Sequence, residues 1–311
     1  MKKIISLVLL SALALMMFAG CSSTETETTA GTTTAGTTTA GSEGTTAAES
    51  EGGAAEGPIS VVSREDGSGT RSAFVELIGI EDENGEDMTT DTAEITNSTS
   101  VMMTTVAGNK NAIGYISLGS LNDTVKALSV DGAEPTVDNI KSGDYKVSRP
   151  FNIVTTGNES EVTKDFISFI MSEEGQKIVE EEGYISQGNE GAYAGTKPEG
   201  KITVSGSSSV TPVMEKLKEA YEALNTNATI ELQQSDSSTG VKDALSGTSD
   251  IGMASRELKE SEVSEGAVGK VIAIDGIAVI VSNENPISSI TGEDIKGIYT
   301  GEITDWSEVS K

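Results

Sequence analysis

GKITVSGSSSVTPVMEKL, residues 200–217, runs from an apolar strand through a loop of glycine and serine directly into a helix. Its first part, 200–206, alternates apolar with small or polar residues, which is typical of a β-strand. From Thr211 onward, apolar residues recur at the spacing of one helix face. Strand, tight loop and helix in this order form the repeating unit of α/β folds, so this stretch decides the fold class that we predict.

The same unit recurs along the chain from Pro58 onward. Alternating strands and helices predict α/β layers around a largely parallel sheet. The predicted strands are 59–63, 112–118, 125–132, 149–156, 200–206, 228–235 and 270–282, and the predicted helices are 71–78, 162–181, 211–224 and 241–245.

Three loops share one composition and one place in the pattern. SREDGSGT (63–70), SGSSSVTP (205–212) and SDSSTG (235–240) each follow a predicted strand and lead into a helix. In open α/β sheets, loops of this kind lie at the carboxyl ends of strands, where ligands bind. Free main-chain N–H groups and the positive dipole end at a helix start favour an anion there, and hydroxyl groups add donors.

Each loop alone has a plainer interpretation, because Ser, Thr, Asp and Gly also serve as helix caps and turn residues. Three such loops together, with Arg64 in the first, favour an oxyanion site. IGMASREL (251–258) adds Ser255 and Arg256 at a fourth strand end. A small oxyanion surrounded by hydroxyls, N–H groups and a guanidinium is therefore the predicted ligand.

Composition excludes several classes of function. The 311-residue chain has 49 Asp and Glu against 21 Lys and Arg, a net charge of −28, and no His. The acidity disfavours nucleic acid, which binds to an excess of Lys and Arg. Without His there is no imidazole base and no His metal ligand, and no acidic spacing matches a calcium loop. We therefore expect no metal, no cofactor and no catalysis.

The N-terminus predicts export. Lys2 and Lys3, an apolar run over 4–18 and small residues before Cys21 predict a signal peptide over residues 1–20. FAGC resembles a bacterial lipobox, which implies a lipid on Cys21, the single cysteine; an ordinary secretory signal with a spare cysteine is the alternative. Residues 21–57, rich in Thr, Gly and Ala, predict a disordered tether. We expect a lipid-anchored protein on the extracellular face of the cell membrane.

From Pro58 onward the sequence resembles the phosphate-binding lipoproteins of bacterial phosphate ABC importers. The combination of motifs is specific, although each loop alone is not. The resemblance is carried by SREDGSGTRSAFVEL, NAIGYISL, SRPFNIVTTG, FISFIMSEEGQKIVEEEGYI, GKITVSGSSSVTPVMEKL, QQSDSSTGVKDALSGTSDIGMASREL, DGIAVIVSNENPI and DIKGIYTGEITDW.

The order of these motifs differs from the family's. In the family the part like 200–306 comes first and the part like 58–185 follows, whereas here they are exchanged. This indicates a circular permutation, with the usual ends joined through the polar segment 186–200. A fragment of a tandem protein and two half-domains completed by a partner are the alternatives; each half occurs once, which favours permutation. Permutation predicts that Pro58 and the tail from Trp306 are neighbours.

The resemblance implies an α/β fold of the two-lobed periplasmic-binding-protein type II-like class, with the ligand in a cleft between the lobes. In the permuted order, lobe A comprises 58–150 and 277–311, and lobe B comprises 151–276 with the 186–200 linker. The hinge strands fall near 149–154 and 275–281, and closure on ligand is a hinge motion.

The resemblance also implies the binding residues. Arg64 is the charged group, the helix start at 68–70 supplies N–H and hydroxyl donors, and Asp66 matches an acid that orients Arg64. The phosphate-binding set implied in this way is Arg64, Ser68, Gly69, Thr70, Ser208, Ser209, Ser237 and Ser255.

One position departs from the family. Some members have an Asp where this chain has Ser255; that Asp accepts the proton of hydrogen phosphate and repels sulfate. Ser255 donates or accepts, so selectivity for phosphate is less strict. We expect Asp66 or Asp236 to accept the proton instead, with Arg256 as an additional cation.

Together these features predict a monomeric binding protein that captures inorganic phosphate and delivers it to an ABC permease in the membrane. It is not an enzyme. The alternatives are a binder or sensor of another tetrahedral oxyanion, such as sulfate or molybdate, and a hydrolase with a serine nucleophile.

Overall fold

A computed structural model describes residues 56–82 and 84–310 of the chain. The predicted signal peptide, Cys21 and nearly all of the predicted tether lie outside these residues. Within the described part, no helix has the length and apolar character needed to cross a membrane.

Strands and helices alternate through the described residues. The strands are β1 (Ser60–Arg64), β2 (Glu94–Thr96), β3 (Ala112–Ser117), β4 (Val125–Ala127), β5 (Ser129–Val130), β6 (Ser148–Thr155), β7 (Gly200–Ser207), β8 (Ala228–Ser235), β9 (Ile251–Ala254), β10 (Val268–Ser282) and β11 (Ser289–Ile290). The helices are α1 (Gly69–Ile78), α2 (Thr99–Ala107), α3 (Val137–Ser142), α4 (Glu161–Ile170), α5 (Glu173–Glu181), α6 (Thr211–Leu224), α7 (Ser237–Ser246), α8 (Glu260–Ser264) and α9 (Gly292–Thr300).

The main sheet is organised around the long strand β10. The strand order is β2-β1-β3-β10-β6-β9-β7-β8, with β4 also beside β10. Residues 268–276 of β10 pair with β6, and residues 277–281 pair with β3, both antiparallel. The outer pairs β1/β2, β1/β3, β7/β8 and β7/β9 are parallel. The prediction of a largely parallel sheet was therefore wrong: β6 and β10 run against their neighbours, and the sheet is mixed.

Two large clusters of buried apolar side chains lie on either side of the middle of β10. The Phe74 core takes Phe74 from α1 and Tyr299 from α9, and Phe74 stacks on Tyr115 with ring centroids 4.0 Å apart. The Phe166 core takes Phe166 from α4 and Met214 from α6. β10 contributes Val279 to the first and Ile272 to the second. The middle of β10 is thus the place where the chain passes from one core to the other.

The long helix predicted over 162–181 is two helices. α4 ends at Ile170, and Ser172 begins α5 by accepting a hydrogen bond from the N–H of Gly175. Serine at this position competes for the main-chain N–H groups that would continue α4, which explains the break.

The beginning and the end of the described chain are neighbours, as predicted. Pro58 forms an antiparallel bridge with Asp305, and the N–H of Trp306 donates to the carbonyl of Gly57 at 3.0 Å. The Trp306 ring is buried, and its Nε1 donates to the carbonyl of Asn111. The strand β1 therefore starts beside the last turn of the chain.

Candidate functional site

Four helices begin at the boundary between the two cores. α1 and α2 start on the side of the Phe74 core, and α6 and α7 start on the side of the Phe166 core. Their starts, the end of β7 and the residue after β9 bring together a group of buried hydroxyls that we call the hydroxyl cluster. It consists of Thr70, Thr99, Ser207, Ser208, Ser209, Ser237 and Ser255, each at most 6% exposed.

Arg64 connects β1 to this cluster. It is the last residue of β1 and is 2% exposed. Its Nη2 donates to Ser208 Oγ at 3.0 Å, across the boundary between the cores. Its Nε and Nη2 also donate to the two carboxylate oxygens of Glu65, at 2.8 and 2.7 Å. The guanidinium is thus held in one orientation and faces the start of α6.

Two threonines of the Phe74 side meet the serines before α6. Thr70 Oγ1 lies 2.8 Å from Ser209 Oγ. Thr99 Oγ1, at the first residue of α2, lies 3.5 Å from Ser208 Oγ and 3.4 Å from Ser209 Oγ. These hydroxyls can donate or accept, so the contacts form one exchangeable network across the boundary.

The start of α1 lies directly against Ser237 and Ser255. A β-carbon at Gly69 would collide with Ser237 Oγ and come within 2.7 Å of Ser255 Oγ. Ser255 Oγ accepts from Ser207 Oγ at 2.9 Å, and the Ser255 N–H donates to Ser237 Oγ at 3.0 Å. The closeness of Gly69 brings the first N–H groups of α1, which have no partner within the helix, up to these serines.

The structure therefore brings all eight residues of the predicted set to one buried place. Arg64, Thr70, Ser208, Ser209, Ser237 and Ser255 take part in the contacts above, Gly69 packs against two of them, and Ser68 begins α1 by accepting from the N–H of Arg71.

Asp66 does not orient Arg64, which corrects the expected role. The Ser68 N–H donates to the Glu65 carbonyl, and Gly67 has a positive φ of 86°, so residues 65–68 form a tight turn. The turn places Asp66 outward, where its side chain is 99% exposed and pairs with Arg71 at 2.9 Å. Glu65, and not Asp66, orients the guanidinium of Arg64 through its carboxylate.

Asp236 begins α7. Its carboxylate accepts from the N–H of Thr239 at 2.8 Å and from Thr239 Oγ1 at 2.7 Å, so it caps the helix. Among the described residues, neither Asp66 nor Asp236 makes a hydrogen bond to the hydroxyl cluster.

Arg256 is buried but committed elsewhere. Its two Nη atoms donate to both carboxylate oxygens of Glu262, at 2.9 and 2.7 Å, and Nη2 reaches Ser238 Oγ at 3.2 Å. It supports the start of α7 from behind and makes no hydrogen bond to the hydroxyl cluster among the described residues. Its hydrogen bonds go to Glu262, to Ser238 and to the carbonyl of Glu257, so no contact with the cluster supports the expected role of an additional cation.

A second buried guanidinium approaches the cluster and was not predicted as a site residue. Arg149 Nη1 lies 3.4 Å from Ser255 Oγ, while its Nε and Nη2 pair with Asp275 at 3.3 and 3.1 Å. Ser117 Oγ donates to the other oxygen of Asp275 at 2.9 Å. Burial raises the pKa of Asp275 to about 6, against the opposing effect of Arg149. This pair sits where β6 and β10 cross between the cores.

The arrangement suits a small anion. Helix starts concentrate unpaired N–H groups and positive dipole ends, and the hydroxyls around them supply further donors in a buried setting. A cavity of about 250 Å³ lies beside the cluster. It is lined by Thr99, Ser100, Met103, Ser120, Ser208, Pro212 and Gln234.

Thr99 and Arg149 show what the sequence pattern missed. Thr99 follows the three-residue strand β2 in the stretch TNSTS (96–100), which has the same composition as the other loops but comes after a strand too short to recognise. For Arg149 the signal was only that arginine is rare in this chain.

The chain matches known proteins over most of its length. The family model described as "PBP superfamily domain" matches residues 42–174 and 191–311. The phosphate-binding protein PstS 2 of Streptococcus agalactiae is 56% identical over 260 residues, which are 82% of this chain and 89% of that protein. A crystal structure of the phosphate-binding protein of a phosphate ABC transporter from Streptococcus pneumoniae TIGR4 is 44% identical, with a TM-score of 0.66, over 82% of this chain and 100% of that chain.

Another relative matches only in part. The phosphate-binding protein PstS of Bacillus subtilis is 35% identical over 129 residues, 41% of each chain. An alignment preserves residue order, so the Streptococcus agalactiae relative, aligned over 82% of this chain, has its parts in the same order as here.

Proposed function

This chain belongs to the phosphate-binding proteins of the PBP superfamily, and we propose that it captures inorganic phosphate at the hydroxyl cluster and delivers it to an ABC permease. The observation that carries the proposal is the meeting of Arg64 and seven buried hydroxyls at four helix starts. Its relatives are named as binding proteins, and its function is binding, not catalysis.

Each proposed ligand group has a defined task. Arg64, oriented by Glu65, is the charged donor. The N–H groups of Gly69 and Thr70 at the start of α1 face the anion, and Ser68 fixes that start. Ser208, Ser209 and Ser237 add hydroxyl donors from the opposite side, and Ser255 completes the set. Donors that are already held in place by their own hydrogen bonds lower the cost of ordering the site around a small anion.

The proposal includes two lobes that close on the ligand. Lobe A comprises 58–150 and 277–311, and lobe B comprises 151–276 including the 186–200 linker. The two cores support this division, because residues of the Phe74 core fall in the first set and residues of the Phe166 core in the second. β6 and β10, which cross between the cores, are the proposed hinge.

We further propose that the chain is exported and lipid-anchored. Residues 1–20 are the signal peptide, Cys21 carries the lipid, and residues 21–57 are a tether on the extracellular face of the membrane. The protein acts there as a monomer. Mass spectrometry of the protein from membranes tests the anchor: a lipid on an N-terminal Cys21 supports it, and an unmodified Cys21 contradicts it.

Circular permutation relative to part of the family is also a proposal. The contact between Pro58 and Asp305 supports it, since permutation requires that the former connection between these ends be short. The match to only 41% of the Bacillus subtilis relative supports it as well, because exchanged halves align one at a time.

Isothermal titration calorimetry with inorganic phosphate tests the function. We expect one site per chain, and we expect Arg64→Lys to weaken binding by roughly 30-fold or more, because a lysine cannot bond Glu65 and Ser208 together. The control is Lys164→Gln: Lys164 is exposed and pairs only with the exposed Glu161 among the described residues, so affinity should change less than about threefold. Absence of phosphate binding by the wild-type protein would overturn the proposal.

A further inference from the structure

Arg149 is bonded differently from the other two buried arginines. Arg64 and Arg256 each donate to both oxygens of one carboxylate, at 2.7–2.9 Å. Arg149 instead donates twice to a single oxygen of Asp275, at 3.3 and 3.1 Å, while Ser117 Oγ donates to the other oxygen at 2.9 Å. The pairing of Arg149 is therefore longer and engages one carboxylate oxygen only.

Arg149 keeps unused donor groups beside the hydroxyl cluster. A guanidinium has five N–H groups. Among the described residues, Arg149 makes two hydrogen bonds to Asp275 and one, from Nη1, to Ser255 Oγ at 3.4 Å. Arg149 is 3% exposed, so bulk water does not serve the remaining donors. Buried donors normally have a partner, and an anion held at the cluster is the partner that fits them.

Two guanidinium groups converge on the cluster from different strands. Arg64 donates to Ser208 from the end of β1, and Arg149 lies against Ser255 from β6. Burial lowers the pKa of Arg149; Asp275 opposes this effect, and the charge of Arg64 adds to it. Like charges that meet in a buried place disfavour each other unless an anion compensates both. A bound anion would relieve this repulsion.

Asp275 is the carboxylate that sets how much of this charge is compensated. Among the described residues it is the only carboxylate that pairs with Arg149, and it lies opposite Arg149 in the register of β6 and β10. The other groups that influence it are Ser117, the main chain of Gly119, and the phenol groups of Tyr145 and Tyr184. Burial raises the pKa of both tyrosines, so they stay neutral.

We propose that Arg149 is a second cationic determinant of phosphate affinity, acting on the anion from the place where β6 and β10 cross, and that Asp275 attenuates its effect. The inference rests on the proposed function and adds a residue to that site. If Asp275 merely held Arg149 in place, loss of its charge would release the guanidinium and weaken binding. The sign of the change at Asp275 therefore separates a charge that acts on the ligand from a pair that only supports the hinge.

Isothermal titration calorimetry of full-length Asp275→Asn protein with inorganic phosphate measures that sign. Asparagine keeps an oxygen that accepts from Arg149, and Ser117 can accept from its amide, because a hydroxyl both donates and accepts. We expect phosphate to bind about three- to thirtyfold more tightly than to the wild type at neutral pH, since the charge of Arg149 is no longer compensated. Equal or weaker binding by Asp275→Asn, with phosphate binding by the wild type, would overturn the inference and leave the proposed function standing. Absence of binding by the wild type would overturn both.

The pH dependence of this gain is a readout that a supporting role would not move. Burial raises the pKa of Asp275 to about 6, so the wild-type carboxyl becomes neutral as the pH falls through that value. The ratio of the two affinities should then approach one in acid, because both proteins carry a neutral side chain at residue 275. Ionisation of phosphate affects both proteins alike and cancels in the ratio. A ratio that stays constant through this range would contradict the inference.

Variants of Arg149 give the complementary test. Arg149→Gln removes the charge and should weaken phosphate binding at least about tenfold, whereas Arg149→Lys retains the charge and should lose less. Arg149→Gln leaves Asp275 without its partner and could fail to fold. The double variant Arg149→Gln/Asp275→Asn has no unpaired buried charge at this place and should also bind at least about tenfold more weakly than the wild type. Wild-type affinity in the double variant would overturn the inference.

Asp165→Asn is the matched control for loss of a buried carboxylate. Asp165 is 7% exposed and accepts from Tyr193, Tyr221 and the N–H of Thr196, and it has no arginine partner among the described residues. Phosphate affinity of this variant should stay within about threefold of the wild type. A gain equal to that of Asp275→Asn would show that any loss of negative charge tightens binding, and would contradict a specific action through Arg149.

Discussion

Gly69 and Ser255 face each other across the boundary between the two cores so closely that a β-carbon on Gly69 would come within 2.7 Å of Ser255 Oγ. Gly69 is not among the residues with positive φ, so its main-chain dihedral angles do not require glycine. The requirement comes from the contact itself. The start of α1 reaches Ser237 and Ser255 only because no side chain stands between them.

Gly69→Ala should therefore weaken phosphate binding while sparing the fold. The methyl group would push α1 away from Ser237 and Ser255 and cost about 1–3 kcal/mol at the closed boundary, which corresponds to roughly 5- to 150-fold in phosphate affinity. Calorimetry measures the affinity, and thermal melting reports the fold. Gly108→Ala is the control, since its nearest atom would lie at an ordinary 3.4 Å. Equal affinity of the two variants would refute the prediction.

Thr99 should contribute to binding although the sequence did not single it out. Thr99→Val keeps the shape of the side chain but removes the hydroxyl that contacts Ser208 and Ser209. We expect phosphate affinity to fall about three- to tenfold, the effect of one neutral hydrogen bond. The control is Thr104→Val in the same helix, whose hydroxyl bonds only the carbonyl of Ser100. A Thr99→Val protein with wild-type affinity would exclude Thr99 from the site.

The loops at Arg64, Ser208 and Ser237 could be predicted from sequence because their chemistry is local. When a strand ends in glycine and hydroxyl residues directly before a helix, its hydroxyl and N–H donors lie at the start of that helix. The error at Asp66 has a local cause as well. Glu65 and Asp66 are both acidic, and only the turn at Gly67, which places one inward and the other outward, distinguishes them.

The Arg149–Asp275 pair could not be predicted, because its members are 126 residues apart. They meet through the antiparallel register of β6 and β10, in which Arg149 lies opposite Asp275. Hinge strands were predicted near 149–154 and 275–281, but neither their pairing nor its register was predicted. Thr99 was missed for a related reason, since β2 becomes a strand by pairing with β1.

Glu262 should stabilise the protein in a pH-dependent way. Burial opposes its ionisation, but hydrogen bonds from Arg256 and from the N–H of Lys259 hold the pKa of Glu262 below its ordinary value of 4.5. A carboxyl with a depressed pKa in the folded state stabilises above its unfolded pKa and loses that contribution as the pH falls. At neutral pH we expect Glu262→Gln to lower the free energy of unfolding by about 1–2 kcal/mol.

Denaturant unfolding at several pH values measures this effect. The difference between the wild type and Glu262→Gln should shrink as the pH drops through the ordinary glutamate pKa and vanish below the folded one. Glu265→Gln, at an exposed position nearby, should change the unfolding free energy by less than about 0.5 kcal/mol at neutral pH. A difference that persists undiminished in acid would show that the ion pair with Arg256 is not its source.

A circularly permuted variant, with the present ends joined and new ends in the 186–200 linker, should fold and bind phosphate. Joining Ser310 to Pro58 through a short loop of about four to six residues is feasible because Pro58 and Asp305 are paired. The new ends would lie beside Gly188, in an exposed stretch of the 186–200 linker. We expect cooperative unfolding and phosphate affinity within about tenfold of the parent. A soluble but unfolded product would argue that the present chain order is needed for folding.

Because β10 contributes to both cores, the two parts of the sequence on either side of the 186–200 linker depend on each other. The sequence before the 186–200 linker supplies the Phe74 core but also β6, α4 and α5 to the Phe166 core, and the sequence after it does the reverse with α9 and the second part of β10. Neither part carries a complete interior. A chain cut in the linker would therefore give two products, each of which leaves apolar side chains of both cores exposed until the other packs against it.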